Sequence, residues 1–149
     1  MAEMSHVRQI HDEEWPQLMD LYEQMHPEDP VLSSNELQPL LQQIQEDDYH
    51  YLFGAFVEDK LVATCVLVII PNLTRGGKPY GLIENVVTDA RFRRQDLATR
   101  VLKIALETAW QQQCYKVMLM TGAQEAGTLQ FYEQAGFACG VKTGLIAKP

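Results

Sequence analysis

The residues best suited to chemistry cluster in one stretch, Asp89-Ala90-Arg91-Phe92-Arg93-Arg94-Gln95-Asp96-Leu97-Ala98-Thr99-Arg100. Five of the twelve lysines and arginines fall between Arg91 and Lys103, although the formal net charge of the chain is −8. One basic island on an acidic protein points to a local anion site and argues against a general nucleic-acid or anionic-membrane surface. The stretch runs from an apolar, strand-like segment into an amphipathic, helix-like one. The first amides of a helix have no internal acceptor and carry partial positive charge, so a phosphate-bearing ligand suits such a corner. Just upstream, Glu84 interrupts an apolar run (Ile83, Val86, Val87), where a carboxylate is costly unless satisfied.

The elements that must hold these residues follow from periodicity. Residues 7–10 read as a strand, and Asp12 as a cap for a helix carrying Trp15, Leu18, Met19, Tyr22 and Met25 on one face. A second helix starts near Ser34 or Asn35, with Pro39 in its first turn and Leu37, Leu40, Leu41 and Ile44 on its face. Residues 51–57 and 61–70 form a hairpin around Glu58-Asp59-Lys60, and residues 80–88 are another strand. A helix over 97–113, a strand over 115–120, a helix over 125–135 ended by Gly136, and a last strand or strands within 137–147 complete the order. The expectation is a single mixed α/β domain over residues 1–149, with a meander in the middle and a crossover helix after it.

Cys65, Cys114 and Cys139 are odd in number and contain no CxxC pair, which fits small apolar residues in a reduced, intracellular chain; a nucleophilic cysteine is the lesser alternative. His6, His11, His26 and His50 lack ligand spacing, so no metal is expected. No apolar run reaches the ~20 residues of a membrane span, and the first residues do not resemble a signal peptide, so a cytoplasmic location is expected.

Arg93-Arg94-Gln95-Asp96-Leu97-Ala98 resembles the R/Q-x-x-G-x-G/A acyl-CoA-binding motif of the GNAT N-acetyltransferase superfamily, and Phe131-Tyr132-Glu133-Gln134-Ala135-Gly136-Phe137 is similar to its FYxxxGF motif. The element order agrees over nearly the whole chain. The resemblance implies a GNAT-like, mostly antiparallel central sheet with a splayed parallel strand pair and about four flanking helices. It implies acetyl-CoA as cosubstrate, without a metal, and direct attack by the primary amine of a small molecule. The strand 83–87 is similar to that of the amino-sugar acetyltransferases. Pairing into a homodimer through residues 139–147 is part of the same expectation.

By that resemblance Val86, Val87 and Thr88 line the pantetheine arm, with an N–H near Val87 polarising the thioester carbonyl. Arg93, Arg94, Gln95, Asp96, Leu97, Ala98 and Thr99 surround the pyrophosphate. Glu84 is the candidate base for the attacking amine and shares a face with Val86 and Thr88 by strand alternation; the alternative is an ion pair with Arg75 or Lys78. Tyr132 is the candidate acid for the leaving thiolate, or else a core tyrosine. One departure stands out, because Asp96 replaces the first motif glycine. Either it points outward as a helix N-cap, or it weakens cofactor binding and leaves a non-catalytic acyl-CoA-binding or regulatory domain.

Overall fold

The computed structural model describes residues 4–123 and 125–149. Five strands form one sheet in sequential order: β1 (Ser5–Gln9), β2 (His50–Val57), β3 (Lys60–Ile70), β4 (Tyr80–Thr88) and β5 (Val117–Leu119). The first three pairings are antiparallel and β4–β5 is parallel, so the sheet is mixed as expected. Helices α1 (Trp15–Met25) and α2 (Ser34–Gln45) lie between β1 and β2 in sequence. Helix α3 (Leu97–Gln111) is the crossover between β4 and β5, and α4 (Ala126–Gln134) follows β5.

Two apolar clusters fix the layers. On one face of the sheet α3 presents Leu97, Val101, Leu102, Ala105 and Ala109 to Phe53, Ala55, Cys65, Leu67 and Ile83. On the other, Leu18 and Leu21 of α1 meet Phe56, Leu61 and Val87. The β2–β3 hairpin turns on two residues, Glu58 (φ 49°) and Asp59 (φ 65°), with Val57 opposite Lys60. Positive φ at both central residues gives a turn whose twist matches that of the strands. Gly136 (φ 111°) ends α4, and the Phe137 amide returns 3.0 Å to the Tyr132 carbonyl, as a left-handed cap requires.

Several expectations need correcting. A one-turn helix at Asp12–Glu14 precedes α1, so Asp12 lies inside helical structure; Glu14 caps that turn by accepting from the His11 amide at 2.7 Å. Pro39 is the sixth residue of α2, past the first turn, and Ser33 caps that helix by accepting from the Glu36 amide. No strand forms within 137–147: this stretch is irregular and exposed, with Gly140 at φ 75°. The outer edge of β5, three residues long, stays unpaired beside it, and Val141, Leu145 and Ile146 stand 74%, 89% and 73% exposed.

The remaining correction concerns β4. Thr64 lies opposite Val87 and Val66 opposite Glu84, so Asn85 and Val86 together face the single residue Cys65. This is a β-bulge, with Asn85 at φ 54°. The extra residue resets the alternation. Ile83 and Val86 pack toward α3, whereas Val87 packs toward α1. Glu84, on the face opposite Ile83, therefore shares its side with Val87 rather than with Val86.

Candidate active site

Three features converge where β4 leaves its neighbour. The β4–β5 pairing is short: Gly81–Val117, Leu82–Met118 and Ile83–Leu119 are its registered pairs. Beyond Ile83 the two strands separate, and Glu84, Asn85, Val86, Val87 and Thr88 run on along the opening. The bulge sits in this unpaired half, where bulges re-aim side chains and backbone groups. Glu84 is exposed there, and no ion pair joins it to Arg75, Lys78 or any other described residue.

The end of β4 is anchored firmly. Asp89 is 2% exposed, and its amide donates to the Val62 carbonyl at 2.8 Å. Its carboxylate accepts from the Arg91 amide at 2.9 Å, from the Arg91 guanidinium at 3.2 Å and from Gln24 Nε2 at 3.2 Å. The Arg91 bond above all holds the Asp89 carboxyl well below the usual carboxylate range. The Gln24 carbonyl in turn accepts from the Ala90 amide at 3.1 Å, so α1 grips the turn leading to α3.

The turn itself presents cations. Arg93 and Arg94 are exposed, and no described carboxylate lies within ion-pair distance of either. Arg91 is committed to Asp89, and Arg100 donates to Ser5 Oγ at 2.6 Å. In α3 the Arg100 amide makes the first helical bond, to the Asp96 carbonyl at 3.0 Å. The amides of Leu97, Ala98 and Thr99 precede it, and the Asp96 side chain caps none of them. A diphosphate fits this corner: three amides at a helix start, flanked by two guanidiniums. Asp96 does occupy the N-cap position, but it adopts φ 58°, ψ 13°, so the reading of it as a capping side chain is corrected. A left-handed backbone is what glycine adopts most readily, and aspartate is among the residues that tolerate it.

Tyr132 is half-buried on α4, edge-on to Phe131 at 4.9 Å and to Phe137 at 6.2 Å. Burial pushes its hydroxyl pKa up, so it carries a proton at neutral pH. The ring lines a cavity of about 560 Å³ beside β5, walled by Leu82, Trp110, Met118 and Met120. Burial also pushes the Cys65 thiol up to about 12, which leaves it a poor nucleophile.

Four residues of this region were not singled out from sequence for these roles: Asn85, Tyr22, Gln24 and Asp89. The phenol of Tyr22 meets the Asn85 side chain across the α1–β4 contact, and burial raises its pKa to about 12. A lone asparagine inside a β-rich run was the available signal, since asparagine tolerates left-handed geometry. The partners of Tyr22, Gln24 and Asp89 lie 63 to 66 positions away along the chain or in space alone, beyond the reach of local pattern.

Comparisons with known proteins fit this geometry. The profile of the acetyltransferase (GNAT) family matches residues 8–137. A glucosamine 6-phosphate N-acetyltransferase of Trypanosoma brucei brucei is 36% identical over 78 residues, 52% of this chain and 51% of that protein. The chain thus spans about half the length of this curated relative. A solved putative acetyltransferase from Agrobacterium tumefaciens str. C58 superposes with a TM-score of 0.91 at 37% identity, covering 97% of this chain and 99% of its own. An aminoglycoside N-acetyltransferase solved in complex with CoA shares the fold, with a TM-score of 0.81 at 15% identity over 99% and 97% of the two chains.

Proposed function

The chain belongs to the acetyltransferase (GNAT) family, and on that premise we propose that it moves an acetyl group from acetyl-CoA to a primary amine of a small molecule, with an amino sugar as the leading acceptor, by direct attack in a ternary complex. The observation that carries this reading is the coincidence of the β4–β5 opening with the uncapped start of α3 and the unpaired Arg93 and Arg94. The amides of Leu97, Ala98 and Thr99, with Arg93, Arg94 and the backbone of Gln95 and Asp96, hold the pyrophosphate. Val86, Val87 and Thr88 line the pantetheine arm, and the Val87 amide faces the thioester oxygen. Glu84, exposed at the mouth of the opening, accepts the proton that the substrate ammonium must lose before its nitrogen can attack. Tyr132, kept protonated by burial, gives one to the departing thiolate.

Glucosamine 6-phosphate N-acetylation in a relative supports the amino-sugar choice. The free thiols Cys65, Cys114 and Cys139 suit a reducing cytoplasm. The exposed Val141, Leu145 and Ile146 support pairing of two copies through the C-terminal stretch; a monomeric mass in sedimentation at tens of micromolar rejects that pairing.

The experiment is release of free CoA thiol from acetyl-CoA across a panel of amines. Thiol release that depends on the amine, and that falls about 100-fold in Glu84→Gln, is expected. Stabilisation by CoA without turnover on any amine would instead mark a binding or regulatory domain, the outcome that Asp96 at the motif position favours.

A further inference from the structure

Helix α1 lies across the end of β4 and touches it on both sides of Val87. Successive residues of a helix step round its axis by about 100°, so with Leu21 turned to the sheet, Tyr22 stands about 100° to one flank and Gln24 about 60° to the other. Leu21 is 2% exposed and packs with Leu18 against Phe56, Leu61 and Val87. The two flanking side chains reach opposite ends of one short run of strand. Tyr22 meets Asn85, one of the two bulge residues. Gln24 Nε2 donates to the Asp89 carboxylate at 3.2 Å, and the Gln24 side-chain carbonyl accepts from the Ala90 amide at 3.1 Å. Asn85 to Asp89 is about 13 Å of strand.

Both ends need a hold from outside the strand. At Asn85 the ladder to β3 is interrupted, and the backbone stands at φ 54°. A left-handed residue other than glycine is strained and persists only where its surroundings determine it. At the other end Asp89 leads into a single turn, Ala90–Phe92, and from there to Arg93 and the start of α3. Ala90 is exposed, and Gln24 is what takes up its amide. Acetyl-CoA is a long cosubstrate, held at its diphosphate and polarised at its thioester. A site for it works when those two grips stand at a fixed separation, because small misplacements of a reacting group are costly.

We propose that α1 is the gauge that sets this separation: Tyr22, through Asn85, aims the Val87 amide, and Gln24, through Asp89 and Ala90, seats the diphosphate corner. This rests on the acetyl-transfer reading and adds two positioning residues to it, both of which act through β4. The two arms separate in their effects. Aim at the thioester oxygen matters when charge develops there, so the Tyr22 arm acts on kcat. The seat of the diphosphate is engaged before and during transfer alike, so the Gln24 arm acts on cosubstrate affinity.

Kinetics and calorimetric CoA titration on Tyr22→Phe, Gln24→Met, Asn85→Gly and the Tyr22→Phe/Asn85→Gly pair test this. None of these alters Leu18 or Leu21. Tyr22→Phe should lower kcat about 10-fold with KM for acetyl-CoA within twofold. Gln24→Met should weaken CoA about 5-fold with kcat at saturation within twofold. Asn85→Gly keeps the left-handed backbone and loses the contact, so it should match Tyr22→Phe, and the pair should lose no more than either alone. Parent kcat in Tyr22→Phe, additive losses in the pair, or the same fall in kcat and affinity from both arms overturns the gauge and leaves the transferase reading intact. If Tyr22→Phe fails to fold, Asn85→Gly, which leaves α1 whole, reads that arm. If no amine is acetylated, the transfer reading fails separately, and two measurements decide the gauge. CoA titration should still weaken in Gln24→Met alone, and the amide order parameters of Asn85 to Val87 should fall from about 0.85 towards 0.6 in Tyr22→Phe. Values equal to the parent in either measurement overturn it.

Discussion

The molecule divides at β4 into halves held together by different means. From β1 to β4 each strand has long registered partners, α1 and α3 cover opposite faces, and Ala55, Phe56, Val62, Ala63, Cys65 and Leu67 are wholly inaccessible. From β5 onward the sheet contributes three residues, α4 buries none of its side chains fully, and the chain ends in exposed, irregular structure. The candidate site lies on the seam. The groups that must be held to a fraction of an ångström, the bulge and the start of α3, belong to the well-packed half. The groups that must admit and release molecules, Tyr132 and the cavity wall, belong to the other. The lesson is that precision and access are assigned to different packing densities.

The sharpest way to break this contrast is to damage each half in turn. Phe56→Ala empties a site lying under Leu18 and Leu21 and beneath the Arg8 guanidinium at 3.8 Å, so it should cost about 3–5 kcal/mol in denaturant unfolding. Next in size, Tyr132→Phe should lower kcat about 100-fold, equivalent to about 2.7 kcal/mol, while acetyl-CoA binding by titration stays within twofold. Equal turnover in both proteins would make Tyr132 a packing residue.

Acid should strike the firm half. Arg8 binds Glu14 at 2.8 and 2.9 Å and holds its carboxyl near 2, down from 4.5; Asp89 is likewise depressed. A carboxyl with a lowered folded pKa contributes stability that is complete above its unfolded value and lost as pH falls through the folded one. The melting temperature should therefore hold above about pH 4.5 and drop by about 3–6 °C on the way to pH 2. Smaller again, Asp96→Gly relieves a left-handed backbone and removes a carboxylate beside the diphosphate corner, so CoA should bind about 3- to 10-fold tighter in calorimetry. Least of all, Leu145→Ala in the exposed tail should leave the unfolding free energy of the monomer within about 0.5 kcal/mol. A loss near that of Phe56→Ala would mean that the tail is packed after all.

The same division explains how much could be read beforehand. The hairpin at Glu58-Asp59, the α3 face and the Gly136 cap are local, and period and turn chemistry reveal them. Arg93, Arg94 and Glu84 were recognisable because charge in an unusual place is visible in one dimension. The bulge was not, since nothing in Glu84-Asn85-Val86 marks a doubled register until β3 is laid beside it. The tail misled for a related reason: Val141, Leu145 and Ile146 have strand-like character, but the edge beside them is β5, only three residues long, and that is a property of the assembled sheet.

The doubled register opposite Cys65 carries a consequence for how such a chain can vary. Because it is a matter of residue count, no exchange of one side chain for another dissolves it by degrees. Removing Asn85 alone would leave Val86 opposite Cys65 and keep Ile83, Glu84, Val86 and Val87 on the sides they now occupy, whereas losing one residue more would exchange the inner and outer aspects of Val87 and Thr88 in one step. Length across this strand should thus be far less tolerant of drift than composition, and insertions or deletions here should separate inactive lineages from active ones.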